Sequence, residues 1–152
     1  MKLTRIPAVF ATIGFALLIA STVAAQLKSP DDVKIGLRLL VQVSNDFKRQ
    51  ITAKAFPRIP HEYMEYTQAA DALRSAIKDE PTGFKAKVET RLKAAVTAEQ
   101  KVSDMSANTP DAEKLMTEHG KAVTAMNSVF ELFPAGLRPD PNAPAGRGAA
   151  RN

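Results

Sequence analysis

Along most of the chain, apolar residues recur three and four positions apart, the period of a helix with one buried face. This pattern predicts four helices. In the first, Val33, Leu37, Leu40, Ser44, Phe47 and Ile51 share a stripe, which Ile35, Leu39 and Val43 widen, and the helix is predicted to run from Ser29 to about Lys54. Ser29-Pro30-Asp31-Asp32 gives it a capping hydroxyl, a proline in the first turn and two acids at the positive helix end. After the break Phe56-Pro57-Arg58-Ile59-Pro60, a second helix is predicted from about Pro60 to Lys78, with Tyr63, Tyr66, Ala70, Leu73 and Ile77 on its face. Pro81 and Thr82 restart the chain into a third, whose stripe is Phe84, Val88, Leu92, Ala95, either Ala98 or Glu99, and Val102. The fourth opens at Thr109-Pro110-Asp111 and carries Leu115, His119, Ala122, Met126, Val129 and Phe133. No strand-like alternation interrupts them. Four amphipathic helices joined mostly by short connections predict an all-α, antiparallel four-helix bundle.

The two ends of the chain differ from its middle. Lys2 and Arg5 precede an apolar run from Ala8 to Ala20 and then the small residues Ser21 to Ala25, the order of a secretory signal peptide. The run is shorter than the roughly 20 residues that a membrane-crossing helix needs. Residues 1–25 are therefore expected to be removed after Ala25, leaving a periplasmic or secreted protein with no membrane segment. Residues 26–134 form the expected bundle. Residues 135–152 turn to Pro, Gly, Ala, Asn and Arg, too poor in apolar side chains to offset ordering entropy, and disorder is expected from about Arg138.

The net charge of +5 suggests nucleic acid until it is located. Residues 26–133 hold 16 basic and 15 acidic side chains, interspersed as on a solvated helical surface. Nucleic-acid capture wants basic residues gathered on one face, so no nucleic-acid partner is expected. The chain has no cysteine, which removes disulfides, thiolate metal sites and thiol nucleophiles together. No Gly-rich phosphate loop, Gly-x-Ser-x-Gly elbow or Glu-x-x-His pair occurs, and Glu62, Glu65 and Asp71 read as solvent-face acids. The expectation is a non-catalytic protein.

Several segments resemble the cytochromes c prime, exported four-helix bundles that hold haem covalently near the end of the last helix. Pro30-Asp31-Asp32-Val33-Lys34 looks like the family's opening Pro-Glu-Asp-Ala-Val-Lys, and Phe47-Lys48-Arg49 resembles its Phe-Gly-Arg segment. The proline-marked connection from Phe56 to Pro60 and the helix with Ala69, Ala70, Leu73 and Ile77 fall where the family places theirs. The resemblance covers roughly Gln26 to Pro134. It implies dimers formed through the first two helices.

The family's Cys-x-x-Cys-His motif is missing. In its place stand Met126, Val129 and Phe130, followed by Phe133 where the family has an aromatic residue and Pro134 where it usually has a basic one. Two thiols must add across the haem vinyl groups and a histidine must ligate the iron, so no covalent haem is expected. Gly36 stands where many members carry an arginine suited to a haem propionate, with Arg38 two residues on. The expected outcome is a haem-free binding protein for a small apolar molecule or a protein partner, its former slot refilled or left as a pocket lined by Val43, Phe47 and Phe133.

Two cofactor alternatives stay open. Non-covalent haem would take His119 as one ligand and a methionine from another helix, Met64 or Met105, as the other, with electron transfer or gas binding as the activity. Copper would use Met116 and His119, one turn apart, with Met105 nearby. His61 reads as a surface or capping residue.

Overall fold

The computed structural model describes residues 27–108 and 110–140; the expected signal peptide and the tail beyond residue 140 lie outside them. The described residues form four helices: α1 (Pro30–Thr52), α2 (Ile59–Ala76), α3 (Thr82–Asn108) and α4 (Ala112–Phe130), with short 3-10 turns at Phe56–Arg58 and Ala135–Leu137. None of these helices is long and apolar enough to cross a membrane.

The helix ends follow local chemistry. Ser29 occupies the position before α1 but makes no capping hydrogen bond; Pro30, Asp31 and Asp32 supply the first turn. Lys54, with φ of 53°, takes the left-handed conformation just past α1, which ends at Thr52, two residues before the predicted end. At α4 the cap is Asp111. Its Oδ1 accepts from the backbone N–H groups of Glu113 and Lys114 at 3.0 and 3.1 Å. The hydrogen bonds from the Lys114 and Glu113 N–H groups hold the Asp111 carboxyl below its ordinary range, and a carboxylate there also faces the positive helix end.

Packing follows the stripes. Val33, Leu37, Leu40, Val43, Phe47 and Ile51 of α1 are buried with Tyr66, Ala70 and Leu73 of α2, Val88, Leu92 and Val102 of α3, and Leu115, Met126 and Val129 of α4. Two residues depart from expectation: Ile35 is 54% exposed and Leu39 36% exposed. They lie on the solvent flank of α1, leaving a narrower buried stripe. Helix α1 packs on α2 and α4, and α3 on α2 and α4. Pairs across α3 and α4 include Arg91 with the Ser128 carbonyl, Glu99 with His119, and Lys101 with Glu118. Across α1 and α2 they include Gly36 with Leu73 and Gln50 with Glu62.

Gly36 sets the closeness of α1 and α2. A Cβ at this position would sit 3.1 Å from Leu73 Cα and 3.2 Å from its backbone N and its Cβ. Backbone cannot move aside as a flexible side chain does. Gly36→Val is therefore expected to destabilise the fold by about 1–3 kcal/mol through overpacking, read from urea unfolding followed by circular dichroism.

Past α4 the chain makes the 3-10 turn Ala135–Leu137, and Arg138 folds back so that Nε donates to the Phe133 carbonyl at 2.8 Å and a second guanidinium nitrogen to the Glu131 carbonyl at 3.1 Å. A basic side chain on the last carbonyls of a helix satisfies groups that have no partner within it.

Candidate functional site

One side chain from each helix meets in the middle of the bundle. Phe47 comes from α1, Tyr66 from α2, Glu99 from α3 and His119 from α4, all of them buried. The third-helix stripe left Ala98 and Glu99 as alternatives; Glu99 is the inner one, 1% exposed, and Ala98 is half-buried. His119 Nδ1 lies 3.2 and 3.3 Å from the two oxygens of Glu99, with hydrogen-bond geometry to Oε2. Phe47 stacks on the imidazole with centroids 5.8 Å apart and planes within 15°, and meets Tyr66 edge-on at 6.4 Å.

This cluster is polar chemistry in an apolar place. Burial pushes the Glu99 carboxyl up, and the hydrogen bond from His119 pulls it partly back. Burial and the neighbouring Glu99 both push the Tyr66 hydroxyl up, so it stays protonated. Glu99 Oε1 and Tyr66 Oη have no hydrogen-bond partner among the described residues. Isolated charge is costly in such surroundings. The pair is least costly with no net charge, either as imidazolium with carboxylate or as neutral imidazole with carboxylic acid.

His119 also lines a groove between α1 and α4. The groove has a volume of about 420 Å³, within the range of roughly 300–1,000 Å³ typical of small-molecule sites, and its walls are Val41, Met116, Val123 and Met126. Ser44, Asn45, Lys48 and Asn127 add polar groups. Ser44 and His119 are each only 3% exposed, and the Ser44 hydroxyl makes no hydrogen bond to another described residue. A larger hollow of about 530 Å³ lies where α1 begins and α2 ends, beside Ser29, Ile35, Gly36 and Asp79. Gly36 is the only buried residue of its lining, so no buried polar side chain faces that hollow.

The residues that the resemblance aligns with the haem motif divide between core and groove. Val129, Phe130 and Phe133 are buried in the core, Phe133 meeting Phe84 edge-on at 5.5 Å, while Met126 reaches the groove wall. Val43 and Phe47, expected to line a pocket, pack in the core cluster instead. With apolar side chains at every attachment position, the residues present do not fit covalent haem. The methionine partners expected for His119 are also misplaced. Met64 is 56% exposed, and Met105 lines a different hollow with Asp111 and Lys114. Of the copper candidates, Met116 and His119 share the groove without Met105.

A second cluster overturns the reading of Glu62 as a solvent-face acid. Glu62 is buried and accepts a hydrogen bond from Gln50 Nε2 at 2.9 Å. Carboxylate oxygens of Asp46, Glu62 and Glu65 lie within 4.8 Å of one another. All three already have partners: Asp46 pairs with Arg49 at 2.7 Å and Glu65 with exposed His61 at 3.3 Å. Three-to-four spacing places Glu62 one turn from Tyr66, a signal that the aromatic neighbours obscured.

The cluster has a pH signature. Burial raises the Glu62 carboxyl above 4.5 and the Asp46 carboxyl above 3.8, their ordinary values. Between the ordinary and the raised values the folded chain binds more protons than the unfolded one, so these groups lower stability as pH rises through that window and contribute a flat term above it. Glu62→Gln keeps an acceptor for Gln50 and removes one titration. The melting temperature of this variant is expected to gain on the parent as pH rises from about 4.5, the ordinary value, through the raised one, and to hold that gain at higher pH, measured by thermal unfolding in a pH series.

Compared with known proteins, the chain matches no family model, no curated protein and no solved structure. The likeness to the cytochromes c prime rests on the order of residues given above.

Proposed function

We propose that this chain is an exported, cytochrome c prime-like antiparallel bundle that has no covalent haem and works as a non-catalytic binding protein. It seats a small, mainly apolar molecule between α1 and α4. Support for the antiparallel order comes from the pairs across α3 and α4, which run in opposite chain directions: 91 with 128, 99 with 119, 101 with 118. Exposed Ile35 and Leu39 on α1 favour association of two copies through the first two helices.

One observation carries the binding reading: two polar side chains almost wholly withdrawn from solvent, Ser44 and His119, line a single groove with four apolar wall residues. Apolar walls with a few placed polar groups are the usual make-up of a ligand site. His119 is also held from behind, by Glu99 on Nδ1 and Phe47 on its face, so its other ring nitrogen has a fixed direction.

The test uses the two histidines of the full chain. In proton–carbon correlation spectra, 1-octanol is expected to shift the His119 imidazole signal saturably while exposed His61 stays still. If both signals are unmoved by octanol up to its solubility limit and by its charged eight-carbon analogues as well, the proposal fails. A Soret band retained by protein purified from the periplasm would instead favour the non-covalent haem alternative.

A further inference from the structure

The groove described above has a chemical polarity of its own. Its floor residue, His119, shares a buried environment with Glu99, and the least costly form of that pair carries no net charge. If Glu99 is ionised, the imidazole is doubly protonated. If Glu99 is the acid, its hydrogen goes to Nδ1 and the imidazole hydrogen sits on Nε2. In both of these forms Nδ1 and the Glu99 carboxyl share one hydrogen and Nε2 carries another, so this nitrogen is a donor.

The remaining lining agrees in sign. Lys48 is a cation with donors only, and the Ser44 hydroxyl has a hydrogen to give. Asn45 and Asn127 adapt to either role. Among the described residues no Asp or Glu lines the groove, and the Glu99 carboxyl behind it is already engaged by His119. The arrangement is thus three donors, one of them charged, above walls of Val41, Met116, Val123 and Met126.

We infer that the groove selects amphiphiles with a carboxylate head, the acyl chain lying along the apolar wall and the carboxylate meeting His119, Ser44 and Lys48. A carboxylate offers acceptors only and cannot clash with a donor set. An ammonium head brings donors and a positive charge to a place that already has both. A hydroxyl head can accept from two donors at most, must place its own hydrogen among donors, and lacks the opposite charge that a carboxylate brings to Lys48. This inference rests on the binding site proposed above and specifies its ligand class.

The test compares octanoate, 1-octanol and octylammonium at neutral pH on the full chain, following the same His119 signal, with Lys48→Met and Ser44→Ala as variants. Lys48 is exposed and Ser44→Ala keeps a good helix former, so both variants are expected to fold. Octanoate should bind at least tenfold more tightly than octanol, with octylammonium weakest. Lys48→Met should weaken octanoate about tenfold and leave octanol within twofold. Long-range proton–nitrogen spectra should show a protonated Nε2 on His119.

Equal affinity for octanoate and octanol, equal loss of both in Lys48→Met, or a bare Nε2 on His119 each overturns the carboxylate inference while leaving a binding groove in place. Failure of all three probes to bind overturns the inference together with the binding reading beneath it.

Discussion

Phe47→Ala is expected to lower the free energy of unfolding by about 3–5 kcal/mol, the range for removing a fully buried aromatic ring. Phe47 is wholly buried and touches two rings, Tyr66 edge-on and His119 face-on. Its loss opens a cavity whose walls come from different helices, so no single side chain can move in to fill it. The His119 ring also loses the surface that fixes its plane. Chemical denaturation should therefore show a large drop in midpoint, and the His119 resonance should broaden while that of His61 does not. A loss below about 1 kcal/mol would mean that the aromatic cluster is not part of the packed core.

The second large effect is non-additive. Glu99→Met and His119→Leu, made singly, are each expected to cost about 3–5 kcal/mol, because each leaves one ionisable partner in apolar surroundings without the other. Together they are expected to cost far less than their sum. Replacing a buried pair by apolar side chains of similar volume is often neutral or stabilising. A double-mutant cycle in urea measures this directly: the coupling should exceed about 2 kcal/mol, since residues in contact deviate from additivity by 0.5–3 kcal/mol. Additive single costs would show that Glu99 and His119 do not depend on each other.

Much of the architecture was legible in the chain. The stripe from Val33 to Ile51 became the inner face of α1, and Leu115, His119, Ala122, Met126 and Val129 all became buried on α4. Periodicity reports which residues share a face, and a bundle buries one face of each helix. It does not report how wide the buried face is, which is why Ile35 and Leu39 were counted inside. The width depends on how near the neighbouring helix comes, and here that is decided by Gly36 against Leu73, a contact between residues 37 positions apart.

The candidate site was legible by halves. His119 stood out as a polar residue on an apolar stripe, but its partner could not be named. Whether Glu99 or Ala98 faced inward depended on the rotation of α3, and a glutamate at such a position reads as a solvent residue until a histidine is placed against it. Glu62 was hidden for the same reason, since its burial depends on Gln50 from α1. Of the opening Thr109-Pro110-Asp111, the sequence does not single out Asp111, whose carboxylate caps α4 by reaching two N–H groups at once. Met126, Val129, Phe130 and Phe133 are all buried, yet the groove opens beside Met126 and Met116, along α1, rather than among Phe47 and Phe133.

The central contact between Glu99 and His119 also acts as a proofreading mark for assembly. Leucine and valine stripes can mesh in more than one register, since a slip of one helical turn sets one aliphatic side chain where another stood. Glu99 has a single suitable mate. Sliding α4 by four residues would bring Leu115 or Val123 opposite Glu99 and strand both ionisable groups. Each misaligned bundle would thus carry an unpaired buried charge that the aligned one avoids, so a contact that adds little to stability still separates the correct threading of the four helices from its near copies.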